Sequence, residues 1–193
     1  MKKIFYISVD DLGTGMDAIS LVSAPAVEKD FICMSKEEQK TFMNFDDSKH
    51  IISGVVALAD TPIYRYSPSQ GEYWVVFTKD TILKMVEKYS QSGLFNSVNF
   101  EHNNENFTDS VIMIESYLVD RERGIVPNEF SDVPEGSWIC SFKVTDDALW
   151  NRIVNTDEFN GFSLQGMFRL KESFEKQSEP ESFDEWLEKQ ING

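Results

Sequence analysis

Asn160-Gly161-Phe162-Ser163-Leu164-Gln165-Gly166-Met167-Phe168 is the stretch on which the reading of the fold turns. Aromatic and aliphatic residues dominate it, so it reads as a β-strand. Its serine stands in an apolar run with glycine on either side. Glycine within a strand often marks a close approach by another backbone or a ligand. Two readings of Ser163 follow. It is a polar residue on the solvent face of the strand, or it is a nucleophile activated by a base within reach.

Strands also dominate the chain around this stretch. Residues 137–144, with Trp138 and Phe142, form one strand; residues 51–58, 73–77, 98–100 and 111–119 form others. Residues 78–89 read as a helix, capped by Thr78, with Ile82, Met85, Val86 and Tyr89 on one face and Gly93 as its stop. A second short helix follows Thr145, with Asp146 and Asp147 in the first turn, where the helix dipole favours them. Residues 61–68, 103–109 and 121–136 are loops. Towards the N-terminus, residues 3–9 and 18–22 are strands, and residues 31–34 a third piece. Residues 35–50 are charged and read as a surface linker with one helical turn. Residues 171–182 are an acidic linker, and Ser182-Phe-Asp-Glu185 is a capping box opening a last helix over 183–191. The sum is about seven or eight strands with two or three helices, strand following strand, which favours an α+β, mostly antiparallel β-barrel. Residues 1–34 then pack on the barrel, 35–50 link, 51–170 form the core, and 171–193 form a tail.

Of 193 residues, 41% are apolar and 13% aromatic, a globular composition. Lys plus Arg is 18 against 33 Asp plus Glu, a net charge of −15. Such a surface repels phosphate backbones and anionic membranes, so neither nucleic acid nor membrane is an expected partner, and a basic protein fits better. The two cysteines, Cys33 and Cys140, form no metal pattern, and with two histidines a zinc site lacks ligands, so no metal or cofactor is expected. No apolar run reaches the about 18 residues of a membrane span. Residues 1–10 read as a first strand and not as a signal peptide, which points to a cytoplasm.

His50 and His102 are the available neutral-pH bases. His50 closes the charged linker and reads as a solvated residue. His102 follows a short strand and precedes a polar loop, a placement where catalytic groups sit, although an exposed histidine is the plainer reading. As a partner for Ser163 it supplies the base that a serine hydroxyl needs. Glu115 interrupts an apolar strand. Strict alternation puts it on the face of Val111, Met113, Tyr117 and Val119, where a carboxylate is buried only with a partner. It is either a third member of a triad or a structural hydrogen-bonding group.

Five segments then carry a resemblance: Val98-Asn-Phe-Glu-His102, Ile112-Met-Ile-Glu-Ser116, Gly136-Ser-Trp-Ile-Cys-Ser-Phe-Lys-Val144, Asp147-Ala-Leu-Trp150 and Asn160-Gly-Phe-Ser-Leu-Gln-Gly166. In this order they resemble the XkdF-like branch of phage prohead serine proteases over residues 51–168. The resemblance implies a herpesvirus-assemblin-like β-barrel and a Ser-His endopeptidase, with Ser163 as nucleophile and His102 as base. Its substrates would be scaffold and major capsid proteins, cleaved in the host cytoplasm inside the assembling prohead. Backbone N–H groups near Gly166 would hold the oxyanion. Assemblin-like proteases often dimerise, so a homodimer is among the expected states. Ala18-Ile-Ser-Leu-Val-Ser-Ala-Pro-Ala26 is similar to a Glu-Val-Ser-Leu-Val-x-x-Pro-Ala segment that follows the serine strand in ordinary prohead proteases. Here it comes first, which suggests a circular permutation with the strand kept in its place in space. The family's glutamate is Ala18 in this chain. The third member is therefore Glu115, Asp17 as second choice, or absent in a Ser-His dyad. The alternative is an inactive head-assembly protein that keeps the protease fold and holds Ser163 and His102 too far apart to bond.

Overall fold

The computed structural model describes residues 3–9, 13–23, 42–46, 48–156 and 158–172. In chain order the strands are β1 (Ile4–Ser8), β2 (Gly15–Val22), β3 (Phe42–Asp46), β4 (Ile51–Ala57), β5 (Ile63–Ser67), β6 (Gly71–Val76), β7 (Val98–Phe100), β8 (Val111–Leu118), β9 (Trp138–Val144), β10 (Gly161–Met167) and β11 (Arg169–Lys171). Helix α1 spans Lys79–Gln91 and α2 spans Asp147–Asn155. The expected piece at 31–34 and the helix at 183–191 lie outside the described residues.

The chain is α+β and mostly strand, but among the described residues the strands do not close into a barrel. They form three sheets, ordered β11-β1-β6-β5, β10-β2-β7 and β3-β4-β9-β8. Two pairings, β1 with β6 and β2 with β7, are parallel. Register shifts break the ladders of β10 with β2, β4 with β9 and β8 with β9. Such irregularities bend a strand and increase its local twist while the strands on either side stay paired. Phe42–Asp46 and Ile63–Ser67 stand where linker and loop were expected, and Arg169–Lys171 stands where the serine strand was expected to pass into the acidic linker. Phe42–Asp46 pairs with β4, Ile63–Ser67 pairs with β6 across the Ser67-Pro-Ser-Gln-Gly71 turn, and Arg169–Lys171 pairs with β1.

Side chains from all three sheets and both helices fill one core, with Ile52, Val56, Phe142, Phe162, Ile82 and Trp138 at its centre. A smaller cluster of Val55, Leu58, Ile139, Val119, Phe130 and Val133 covers the other face of β4 and β9. Both faces of that pair are thus apolar, which explains its nearly continuous hydrophobic sequence. Helix α1 follows its sequence signals: Thr81 N–H donates to Thr78 Oγ1 at 3.2 Å, Ile82, Met85 and Tyr89 are buried, and Gly93 ends it at φ +67°. Burying each such side chain contributes about 1.5–3 kcal/mol. Helix α2 is capped by Asp146, whose Oδ1 accepts from Leu149 N–H at 2.6 Å.

Candidate active site

The site is built on the three-stranded sheet. Strand β10 runs antiparallel to β2 with Ser163 opposite Ser20, and β2 runs parallel to β7 with Ser20 opposite Asn99. Alternation sends Phe162, Ile19, Leu21 and Val98 into the core, where Phe162 packs on Phe142 with ring centroids 4.8 Å apart. The same alternation leaves Ser163, Ser20 and Asn99 as a polar row across the opposite face. Ser20 and Asn99 are 0% exposed and Ser163 is 6% exposed. Polar groups so deeply covered must be hydrogen-bonded to one another.

His102 covers part of that row. Strand β7 ends at Phe100, and Glu101 and His102 both take left-handed backbone angles, φ +50° and +56°. Such angles cost a residue with a side chain roughly 1–2 kcal/mol each, so the turn needs fixing. Glu101 N–H donates to Leu21 O at 3.0 Å, Asn103 N–H to Phe100 O at 2.9 Å, and Ser23 N–H to the Glu101 carboxylate at 2.6 Å. The turn is thereby tied to the end of β2, and the imidazole folds back over the sheet.

The ring sits between two hydroxyls. His102 Nε2 is 3.1 Å from Ser163 Oγ, and Nδ1 is 3.0 Å from Ser20 Oγ. Ser20 has one proton, and it goes to Asn99 Oδ1 at 2.6 Å. Its oxygen is then left to accept from Nδ1–H, which makes Nε2 the unprotonated nitrogen facing the Ser163 hydroxyl. Asn99 Nδ2 donates to Gln165 Oε1 at 2.6 Å, and Gln165 Nε2 donates to Asn104 Oδ1. Every donor in this relay points the same way, from Ser163 through His102, Ser20, Asn99 and Gln165 to Asn104. Each bond polarises the next.

Partial burial holds the His102 pKa below the ordinary imidazole value; the Glu101 charge and the neighbouring Gln165 side chain oppose this, and the Arg65 charge adds to it. The ring is therefore neutral at pH 7, as a proton acceptor must be. A cavity of about 330 Å³ opens beside Ser163, with Gly166 in its wall. Gly166 has a backbone reason to be glycine, because a Cβ there would lie 2.1 Å from Gly15 O at the irregularity between β10 and β2.

Glu115 stands elsewhere. A bulge between Met113 and Glu115 reverses the alternation of β8, so Met113 packs on the main core while Tyr117 packs on the smaller cluster. Glu115 lies in register with Ser141, accepts a hydrogen bond from its Oγ, and is exposed. The strict alternation that placed it on a buried face with Val111 and Met113 is corrected by that bulge. Asp17 is exposed and is the residue of β2 left without a partner at the β10–β2 irregularity; its carbonyl accepts from Ser97 Oγ at 2.8 Å. The position next to His102 Nδ1 belongs to Ser20. His50 stacks on Trp150 at 4.7 Å, with Nδ1 3.7 Å from the Asp147 carboxylate, on the edge of the main core. Among the described residues no group of three or more His, Cys, Asp or Glu is placed to hold a metal, and no helix is long and apolar enough to cross a membrane.

Sequence reasoning singled out neither Ser20 nor Asn99 nor Gln165 for this relay. Each had a signal. Ser20 and Asn99 are lone polar residues in apolar strands, and Gln165 follows Ser163 by two positions, on the same face.

A serine hydroxyl on a neutral, doubly tethered imidazole is the arrangement that serine hydrolases use for nucleophilic attack. The chain belongs to the phage family Peptidase_S78_2, described as "Putative phage serine protease XkdF", whose model matches residues 38–172. Comparisons with curated proteins and with solved structures return no match.

Proposed function

We propose that the chain is the serine endopeptidase of phage head maturation, cleaving scaffold and major capsid proteins within the assembling prohead in the host cytoplasm. The observation that carries this reading is the 3.1 Å contact between Ser163 Oγ and His102 Nε2, with the other ring nitrogen tied to Ser20. Ser163 attacks the peptide carbonyl as His102 Nε2 takes its proton. The imidazolium formed is held by Ser20 through Nδ1–H and returns its proton to the leaving amine. Water then hydrolyses the acyl-enzyme by the same steps in reverse order. Backbone N–H groups near Gly166 are the proposed oxyanion donors. Ser20 takes the orienting place that a carboxylate fills in other triads, so the imidazolium is held by a dipole and not by a charge.

The test is co-expression of the chain with the scaffold and capsid proteins of its own phage genome, followed by gel and mass spectrometry. Wild type cleaves at defined bonds, and the Ser163→Ala and His102→Ala proteins do not. Cleavage that survives Ser163→Ala refutes the nucleophile. Folded wild type that cleaves nothing leaves an assembly protein that has kept the fold of the family.

A further inference from the structure

The cavity beside Ser163 is lined chiefly by apolar side chains, among them Ile7, Ile63, Val75, Phe77 and Phe168. One cation lines it as well, Arg65 on β5. The guanidinium is half-buried and spends one donor on Tyr64 O, at 2.9 Å. Among the described residues no carboxylate forms an ion pair with it. Burial lowers its pKa from the ordinary value, the sign of a charge partly stripped of water, and its field reaches the His102 ring. A guanidinium stays protonated in proteins and presents five donors. A half-desolvated one without a counter-charge is costly unless something brings one. Its chemical complement is a carboxylate, bound through both oxygens.

We infer that this cavity receives the substrate side chain of the residue whose carbonyl Ser163 attacks, and that Arg65 makes it select an acidic side chain, glutamate over glutamine or leucine. The inference rests on the proposed reading of Ser163 as the nucleophile. Ser163 forms part of the cavity wall, so the side chain adjoining the attacked carbonyl is the one that enters. The apolar walls take the two methylenes of glutamate, and Arg65 meets the carboxylate. The net charge of −15 opposes an acidic substrate at long range, so the preference has to come from Arg65, the cation in the cavity wall.

The pocket is tested by calorimetry on the Ser163→Ala protein, with amidated alanine hexapeptides carrying one glutamate, glutamine or leucine at the fourth position. The glutamate peptide binds about 10-fold or more tightly than the other two, the scale of one charge-assisted pairing. Arg65→Gln abolishes that margin, and Arg65→Lys, which keeps the charge without the fork, keeps part of it. Equal binding of the three peptides, binding of none, or a margin that survives Arg65→Gln overturns the inference. The same peptides given to wild type separate the two claims. Selective binding without cleavage sustains the pocket and refutes the protease, whereas cleavage indifferent to the side chain refutes the pocket alone.

Discussion

Replacing Ser20 by alanine tests the relay more sharply than replacing either end of it. Ser20 makes two close side-chain bonds, at 3.0 Å to His102 Nδ1 and at 2.6 Å to Asn99 Oδ1. In the transition state His102 is an imidazolium, so the bond from Nδ1–H is charge-assisted and contributes about 1.5–3 kcal/mol. Its loss slows cleavage by roughly 10- to 150-fold at about 1.4 kcal/mol per decade. That is less than the ~10⁴-fold loss seen when a triad aspartate is neutralised, because here the lost partner is uncharged. The substitution also leaves Asn99 Oδ1 short of its donor at a residue with 0% exposure, a stability cost of about 1–3 kcal/mol. The two effects are read separately, as kcat/KM on a peptide substrate and as the midpoint of urea unfolding. Glu115→Gln is the matched control. Its carboxylate is exposed and bonded to Ser141, so kcat/KM stays within about 2-fold of wild type, the scatter of surface substitutions. A Ser20→Ala protein as fast as wild type, or a Glu115→Gln protein slowed by orders of magnitude, refutes this account and returns the third position to Glu115.

Three further outcomes follow from particular contacts. The acid limb of kcat/KM reports His102; its pKa is depressed, chiefly by burial, so activity is lost only as pH falls below the ordinary imidazole value of about 6.5, and a midpoint above that value contradicts the assignment. Gly166→Ala drives a Cβ into Gly15 O and Met16 Cα, both backbone atoms, so the strands must part; a loss of about 2 kcal/mol or more is expected in chemical unfolding, and a neutral result refutes the close approach. Phe142→Ala removes the ring on which Phe162 packs and costs about 3–5 kcal/mol in the same assay, and a loss below about 1 kcal/mol would mean that the serine strand is anchored elsewhere.

The elements most legible in the sequence were those governed by local chemistry. Thr78 and Gly93 bound helix α1 because capping and a left-handed stop act within a few residues. The serine strand was legible for a similar reason, since Phe162 and Leu164 flank a lone polar residue. Glu115 was misread because a bulge is a property of two strands together: nothing in Val111–Leu118 alone says that Ser141 will face two residues at once. Ile63–Ser67 was masked by prolines at both ends, which mark a loop to local rules and here bound a hairpin strand. Ser20 required knowing that residues 15–22 and 161–167 are neighbours, a pairing across more than half the chain that no periodicity records.

That long-range pairing has a consequence for how much of the chain the site needs. The family match covers Ser163 and His102 but begins at residue 38, beyond β2. Yet β2 is the middle strand of its sheet, and β10 and β7 are each paired to it and not to one another. It supplies Ser20, the carbonyl of Leu21 that fixes the Glu101 turn, and the core-facing Ile19 and Leu21. Removing it therefore takes away the surface on which serine and histidine meet. A chain starting at residue 38, with a peptide of residues 1–23 added in trans so that β1 is returned along with β2, separates this from a merely stabilising role. The shortened chain alone should not react at Ser163 with a phosphonate probe of serine hydrolases, and the wild-type peptide should restore labelling. A peptide carrying Ser20→Ala should restore the fold, seen by circular dichroism, but return labelling at a rate lower by the factor expected for the full-length substitution. Undiminished labelling of the shortened chain without any peptide would mean that Ser163 and His102 find each other without β2, and the assignment of Ser20 would fall with it.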